Sequence, residues 1–242
     1  MGLGGSEPTV ALAPQAEAAE ITDWRPPDWY DSAKRALDVA VALAAVVVFL
    51  PLWILIALAI VLTSPGPAIY RQRRVVGKGG KEFTVFKFRT MYANAGDSQH
   101  QRAIVQFVRN HEPLAVLGSS GAGRRIYKLV GDLRITPVGK VLRKTGLDEA
   151  PQFLNVLRGE MSVVGPRAPL YYEYELYGPR ELERLKVVPG ITGWYQINGR
   201  SSVPFDEMVN LDLEYVRRRS LRLDIKIMLL TPWVMITGRG AY

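Results

Sequence analysis

The chain has 242 residues, which is long enough for one sizeable domain with an apolar core. Its 31 Lys and Arg residues outnumber 23 Asp and Glu residues, and the net charge of +8 indicates an anionic partner such as nucleic acid, anionic lipid or a phosphorylated metabolite. The chain has no cysteine, which excludes a disulfide framework, a thiolate metal site and a cysteine nucleophile.

The first 66 residues divide into two parts. Residues 1–22 are rich in Ala, Gly, Glu and Pro and lack a hydrophobic period, so we predict a disordered leader there. Residues 23–66 are predicted to form an interface segment and a membrane helix. Aromatic and cationic side chains lead into a run from Ala36 to Thr63, in which Asp38 is the single charged residue. This run is longer than the roughly 20 apolar residues that cross a bilayer.

Pro51 and the flanking charges decide how this segment is predicted to meet the membrane. Pro51 stands near the middle of the run, where it removes a backbone hydrogen bond and kinks a helix. Basic residues lie on both sides, between Arg25 and Arg35 and between Arg71 and Lys81. If basic flanks stay cytoplasmic, both ends lie on one side and the segment is a re-entrant hairpin with Pro51 as the membrane break. A kinked spanning helix is the alternative that these features leave open.

Residues 67–242 are predicted to form the soluble part. Ala68 to Arg74 and Glu82 to Arg89 alternate as strands, with a glycine-rich turn between them. Lys87 and Arg89 form a basic strand face, which is either solvated or directed at a phosphate group. Residues 92–131 are interpreted as a mobile insertion able to order over a substrate, since their glycines lack the Gly-Lys-Ser/Thr ending of a P-loop.

Two adjacent acids, Asp148 and Glu149, mark the candidate reaction centre. Pro151 and the following apolar positions predict a short helix that begins near Leu147 and stops at Gly159. Both acids then lie at the positive end of this helix, where ionised carboxylates are favoured and can bind a divalent metal or act as nucleophiles. Simple helix capping is the alternative role.

Arginines on both sides of the acidic pair point to a phosphate ligand. Arg143 lies upstream, and Arg167 follows a Gly-Pro turn downstream. Further helices are predicted towards the end of the chain, at Tyr171 to Tyr177, Arg180 to Lys186, Phe205 to Arg219 and Leu221 to Thr237. The last combines basic and apolar residues and is predicted to lie in the membrane interface, with a core helix as the alternative.

Several motifs together resemble the bacterial monotopic phosphoglycosyl transferases, the sugar transferases that start capsule, exopolysaccharide and glycan assembly. The resemblance runs from about Lys34 to Thr237 and is carried by Lys87–Met91, Asp132–Gly139, Leu147–Leu157, Met161–Arg167, Pro189–Gly193 and Asn198–Arg200. It implies an α/β fold, mainly α, with a re-entrant membrane helix-break-helix and a small cytoplasmic catalytic domain that carries interfacial amphipathic helices. It also implies the inner (cytoplasmic) membrane of a bacterium as the location.

The resemblance further implies a reaction and residue roles. A sugar-1-phosphate would pass from a UDP-sugar to polyprenyl (undecaprenyl) phosphate, with release of UMP. Asp148 matches the family's nucleophile and Glu149 its acidic partner, and Asp224 matches a further acid that would join them in holding Mg²⁺. Five basic residues would bind the substrates: Lys87, Arg89, Arg143, Arg167 and Arg200.

Two positions depart from the family pattern, and two other classes of protein compete with the enzyme. Leu50 precedes Pro51 where many relatives have serine, and Ala168 follows Arg167 where proline is common. A membrane-anchored binding or scaffold protein is the alternative function, with the acids as helix caps. A nucleic-acid partner is not expected, because the chain has no recognised nucleic-acid motif. A homodimer is left open, and the sequence does not name the sugar.

Overall fold

The computed structural model of the chain describes residues 26–75, 80–93, 108, 115–117, 124–126, 132–199 and 202–236. Within these ranges the fold is mostly helical, and the strands form three separate two-stranded sheets. The prediction of a mainly helical chain with some β-structure is confirmed. The predicted leader, Arg200 and most of the 92–131 insertion lie outside the described residues.

The described elements are eight α-helices, six strands and two 3₁₀ helices. The helices are α1 (Trp29–Thr63), α2 (Pro137–Thr145), α3 (Phe153–Leu157), α4 (Tyr171–Tyr174), α5 (Pro179–Leu182), α6 (Trp194–Asn198), α7 (Phe205–Arg218) and α8 (Leu221–Ile236). The strands are β1 (Ile69–Val75), β2 (Glu82–Phe88), β3 (Ala115–Leu117), β4 (Arg124–Ile126), β5 (Ser162–Val164) and β6 (Gly190–Thr192). The 3₁₀ helices are Leu147–Gln152 and Glu183–Lys186.

Helix α1 is long and apolar enough to cross a membrane, by length and composition. It is one continuous helix of 35 residues, and Pro51 lies inside it. The predicted interruption of secondary structure at Pro51 is therefore not observed, because proline removes one intrahelical hydrogen bond and the turns on either side keep theirs. The route of the helix through the membrane stays a prediction.

The two ends of α1 pack on the rest of the chain, whereas its middle is uncovered. Asp38 and Ala42 are buried near the start, and Ile56 and Ile60 are buried near the end. Between them the apolar side chains are exposed; large exposed side chains include Leu43, Val47, Val48, Phe49, Leu50, Ile54 and Leu55. An apolar surface of this extent is typical of a membrane or protein contact.

The six described strands pair into three two-stranded sheets. β1 and β2 pair antiparallel, with Ile69 opposite Phe88 and Val75 opposite Glu82, so the predicted hairpin is confirmed. Most of its predicted turn lies outside the described residues, but Gly80 has a positive φ of 62°. β5 and β6 pair parallel, and β3 and β4 pair antiparallel.

The main core brings α1 together with the strands and the last two helices. Its fully or nearly fully buried members are Ala42 from α1, Phe83 and Val85 from β2, Val156 from α3, Met161, Val163 and Val164 around β5, Ala168, Tyr215 from α7 and Ile227 from α8. The predicted final helix is confirmed as α8. Its Leu229 and Trp233 are 74% and 62% exposed, so one side of α8 is uncovered and apolar.

A buried carboxylate joins the start of α1 to α7 and α8. Asp224 accepts hydrogen bonds from the hydroxyls of Tyr30, at 2.9 Å, and Tyr215, at 2.7 Å. The ammonium of Lys34 lies 3.2 Å from Asp224 Oδ2, outside hydrogen-bond geometry, so their attraction is electrostatic. Asp224 is completely buried, and this cluster therefore fixes the start of α1 to the domain.

We predict that Asp224→Ala lowers the free energy of unfolding by about 3–5 kcal/mol, because it removes the counter-charge of the Lys34 ammonium and an acceptor of the Tyr30 and Tyr215 hydroxyls. Asp206→Ala is the matched control, since Asp206 is 51% exposed and lies 3.5 Å from Arg180. The control should change stability by less than about 1 kcal/mol. Denaturant unfolding of the detergent-solubilised chain measures both, and equal effects would contradict the anchoring role of Asp224.

Candidate active site

The acidic pair lies where α2 gives way to the 3₁₀ helix. Gly146 ends α2 with a left-handed φ of 71°, and the 3₁₀ helix Leu147–Gln152 starts directly after it. Asp148 and Glu149 occupy its first turn and are both half-buried. Because the position preceding this helix is Gly146, neither acid is the N-cap residue, and no side chain caps the helix. Neither carboxylate thus serves as the cap of this helix.

Lys87 reaches the acidic pair from β2. Its ammonium lies 3.0 Å from Glu149 Oε1, and the lysine side chain is 18% exposed against 42% for the glutamate. Glu149 thus has a cation on one side and remains open to solvent. This contact brings together two residues that the sequence placed 62 positions apart.

Asn155 explains why β2 lies against the acidic segment. Its side chain is fully buried and bonds the backbone of β2 twice, accepting from the Phe86 N–H at 3.1 Å and donating to the Thr84 carbonyl at 2.7 Å. The same amide donates to Glu160 Oε2 at 2.6 Å. A buried amide with its donors and acceptor satisfied fixes the register of the two segments, and hence the place of Lys87.

Arg143 lies in the last turn of α2, where the negative charge of Asp148 acts on its guanidinium. Its Nε donates to the Thr90 hydroxyl at 2.9 Å. Burial lowers the pKa of Arg143, and the negative charges of Asp148 and Asp132 act in the opposite direction. The charges of Arg143 and Asp148 thus interact, and the role of Arg143 in binding a substrate phosphate stays a prediction.

Arg167 has a different partner. Its terminal nitrogens donate to both carboxylate oxygens of Glu173, at 2.8 and 2.9 Å. Glu173 is buried, whereas the arginine side chain is 28% exposed. Burial raises the pKa values of the neighbouring Tyr177 and Tyr195 to about 12. Arg167 makes its ion pair with Glu173 rather than with the acidic pair, so the predicted contact of this arginine with a nucleotide stays a prediction.

Arg89 takes a structural position that the strand pattern did not predict. β2 ends at Phe88, so Arg89 no longer follows the alternation that was used to put it beside Lys87. Its guanidinium donates to the Ser64 carbonyl at 2.7 Å, to the Ser64 hydroxyl at 3.0 Å and to the Pro65 carbonyl. The side chain is 6% exposed and binds the end of α1, and the substrate-binding role of Arg89 stays a prediction.

Asp224 does not join a metal site with the acidic pair. Its oxygens are engaged by Tyr30, Tyr215 and Lys34, as described above. Within the described part of the chain, no three His, Cys, Asp or Glu side chains are grouped so that they could hold a metal. The prediction of Asp224 as a ligand beside Asp148 and Glu149 is therefore wrong, since the carboxylate is used inside the fold.

Comparison with known proteins identifies the family. A family model described as bacterial sugar transferase matches residues 29–238. The chain belongs to the bacterial sugar transferase family. The family resemblance and the prediction of a transferase enzyme are thereby confirmed.

Individual relatives cover the same region. The galactosyl transferase CpsE of Streptococcus agalactiae is 44% identical over 73% of this chain, which spans 36% of that protein. The exopolysaccharide production protein ExoY of Sinorhizobium fredii is 40% identical over 86% of this chain and 88% of its own length. The UDP-glucose:undecaprenyl-phosphate glucose-1-phosphate transferase of Escherichia coli is 39% identical over 86% of this chain, which spans 41% of that relative.

The contacts of Thr90 and Asn155 at the site were not anticipated from the sequence. Both residues lie inside the motifs that carry the family resemblance, yet a threonine or an asparagine has no charge or spacing that reveals a distant partner. Thr90 meets a residue 53 positions away, and Asn155 meets one 71 positions away. Only the packing of β2 against the helices brings these groups into contact.

We predict that Arg89→Lys lowers the free energy of unfolding by about 1–3 kcal/mol, because a lysine cannot reproduce the forked bonds to Ser64 and Pro65. Arg71→Lys is the control, since Arg71 is exposed on β1, and it should alter stability by less than about 0.5 kcal/mol. Thermal unfolding in detergent measures the effect. Substrate affinity that falls while stability stays unchanged would instead assign Arg89 a binding role.

Proposed function

We propose that this enzyme transfers a sugar-1-phosphate from a UDP-sugar to polyprenyl (undecaprenyl) phosphate and releases UMP, as the first membrane step in exopolysaccharide, capsule or glycan assembly. The observation that carries the proposal is the half-buried acidic pair with Arg143 and Lys87 beside it. The names of relatives such as the glucose-1-phosphate transferase of Escherichia coli support the same reaction.

Asp148 is proposed as the nucleophile because a cation stands next to it and it is not used to cap a helix. In the first step a carboxylate oxygen of Asp148 forms a bond to the sugar-bearing phosphorus, and the bond from that phosphorus to the bridging oxygen breaks. UMP leaves with the electron pair. In the second step an oxygen of the lipid phosphate attacks the same phosphorus, and the Asp148 carboxylate is released unchanged.

Arg143 and Lys87 can reduce the electrostatic repulsion between the acidic pair and the donor phosphates. A carboxylate that approaches a charged pyrophosphate is repelled, and charge also develops on the leaving UMP. Arg143 can offer planar donors to the phosphate oxygens, and Lys87 adds a positive charge beside Glu149. Glu149, which remains 42% exposed, can accept or return a proton at its carboxylate.

The carboxylates of Asp148 and Glu149 fit Mg²⁺, which is usually bound by one or two carboxylates together with substrate phosphates and water. When bound, the ion would supply positive charge for the phosphate oxygens. Asp148 and Glu149 are the residues that would hold it, and the wrong assignment of Asp224 leaves this pair intact.

A membrane location supports the use of a lipid acceptor. The middle of α1 and one side of α8 present exposed apolar side chains, whereas both ends of α1 pack on the same domain. We propose that α1 enters and leaves the inner membrane on the cytoplasmic side, with the catalytic domain in the cytoplasm. The lipid phosphate then reaches the acidic pair at headgroup level while its chain stays in the bilayer.

We predict that the wild type, incubated with the right UDP-sugar and Mg²⁺ but no lipid acceptor, gains the mass of one sugar phosphate on Asp148. Asp148→Asn should give no adduct and lower turnover by at least about a thousandfold, since an amide is a poor nucleophile towards phosphorus. UMP release across a panel of UDP-sugars and peptide mass mapping are the measurements.

Asp206→Asn is the matched control, because it removes an exposed acid on α7. It should retain the adduct and near-wild-type turnover. An adduct that persists in Asp148→Asn would overturn the assignment of the nucleophile, and failure of every UDP-sugar would overturn the donor.

The re-entrant path also predicts which side each end of α1 faces. The natural chain has no cysteine, so single cysteines can be placed at the exposed Asp28 and at the exposed Pro67 without background labelling. In sealed inner-membrane vesicles of known orientation, both positions should react with a membrane-impermeant maleimide from the cytoplasmic side. Labelling from opposite sides would instead establish a spanning helix.

A further inference from the structure

Thr90 binds Arg143 at Nε, which leaves the two terminal nitrogens of the guanidinium for a substrate. The Thr90 hydroxyl accepts from Arg143 Nε at 2.9 Å. The two terminal nitrogens of this guanidinium make no hydrogen bond with any other described residue, while the charge of Asp148 acts on the group. A fork held at Nε presents its outer edge in one direction, and that edge can grip two oxygens of a phosphate.

Thr90 is itself fixed through its backbone. Its carbonyl accepts from the Thr136 N–H at 3.0 Å, just before α2 starts. Gly139, in the first turns of α2, lies so close to the Thr90 backbone that there is no space for a Cβ atom. Thr90 is 8% exposed, and its neighbour Arg89 is bound to the end of α1. The hydroxyl therefore has a defined place.

The backbone and the hydroxyl of Thr90 have separate tasks. The contacts with Thr136 and Gly139 are made with the main chain of Thr90, and these would survive a change of its side chain. The contact with Arg143 uses the hydroxyl oxygen. Thr90→Val retains the shape of the side chain and removes the acceptor, whereas Thr90→Ser retains the acceptor. The role of the hydroxyl can therefore be tested apart from the fold.

We propose that Thr90 is a positioning residue for the transferase reaction: its hydroxyl orients Arg143 so that the outer edge of the guanidinium faces the phosphate groups at Asp148. The inference rests on the proposed function, since it takes a phosphate-bearing donor to be the ligand of Arg143. Thr90 itself touches neither the donor nor the reacting atoms.

The first test measures kcat and KM for UDP-sugar turnover by the full chain in detergent or nanodiscs. Thr90→Val should lower kcat/KM by about tenfold or more, as expected for a lost hydrogen bond to a charged group, with little change in melting temperature. Thr90→Ser should stay within about threefold of the wild type. Wild-type kinetics in Thr90→Val, or equal damage in Thr90→Ser, would overturn the proposal.

A double variant separates positioning from general damage. Lysine has no counterpart of Nε at this place, so Arg143→Lys already lacks the bond to Thr90. Thr90→Val on that background should therefore lower kcat/KM by less than about twofold. A further tenfold fall in the double variant would show that Thr90 acts by another route and would overturn the proposal.

The last readout needs no activity. In a ¹⁵N-edited NMR spectrum the Nε–H of Arg143, identified by its loss in Arg143→Lys, should exchange slowly with water in the wild type and in Thr90→Ser, and about tenfold faster in Thr90→Val. Fast exchange in the wild type would overturn the bond even if Thr90→Val failed to fold. If no UDP-sugar is turned over but this protection is seen, the donor assignment fails and the orientation of Arg143 by Thr90 stands.

Discussion

The arrangement of the site depends on the hydrogen bonds of the Asn155 side chain. This side chain binds the backbone of β2 on one side and Glu160 on the other, and it is fully buried. Apolar contacts between the hairpin and the acidic segment set their distance but not their register, and the Lys87–Glu149 pair joins two side chains rather than the backbone. The hydrogen bonds of Asn155 fix the register of the strand that carries Lys87 against the 3₁₀ helix that carries Glu149.

Helix α1 is connected to this site at its C-terminal end. The carbonyls of Ser64 and Pro65, at the end of α1, are bound by Arg89, and the next residue, Thr90, receives Arg143. A shift of the end of α1 would therefore act through Arg89 and Thr90 on Arg143, whose charge interacts with Asp148. The acceptor proposed for this enzyme arrives within the bilayer, and this short path would couple the position of α1 to that of Arg143.

Much of the positive charge of this chain is used inside the fold. Arg35 donates to the carbonyls of Val156 and Leu157 at the end of α3, and Arg89 does the same at the end of α1. Arg184 is completely buried against Asp212. Guanidinium groups suit such places because their planar donors satisfy several carbonyl or carboxylate oxygens at once. The net charge of +8 therefore overstates the number of cations that remain to bind a ligand.

The local elements could be predicted because their causes are local. The apolar run predicts α1, the alternation of Phe83, Val85 and their neighbours predicts the hairpin, and Gly146 with Pro151 places Asp148 in the first turn of a helix. The family motifs led to the proposed reaction. The separation of Lys87 from Arg89 could not be predicted in the same way, since it follows from a strand that ends one residue earlier than the alternation suggests.

The partners of the polar side chains were decided by tertiary structure alone. Asp224 has the sequence context of a metal ligand, yet the fold gives it Tyr30 from the other end of the chain, 194 positions away. Thr90 has no distinguishing feature until α2 brings Arg143 to it. The sequence determines which groups a side chain offers, because that is covalent chemistry. Which group it meets depends on the packing of distant segments, because a hydrogen bond or an ion pair is short-ranged and exists only where folding brings both partners together.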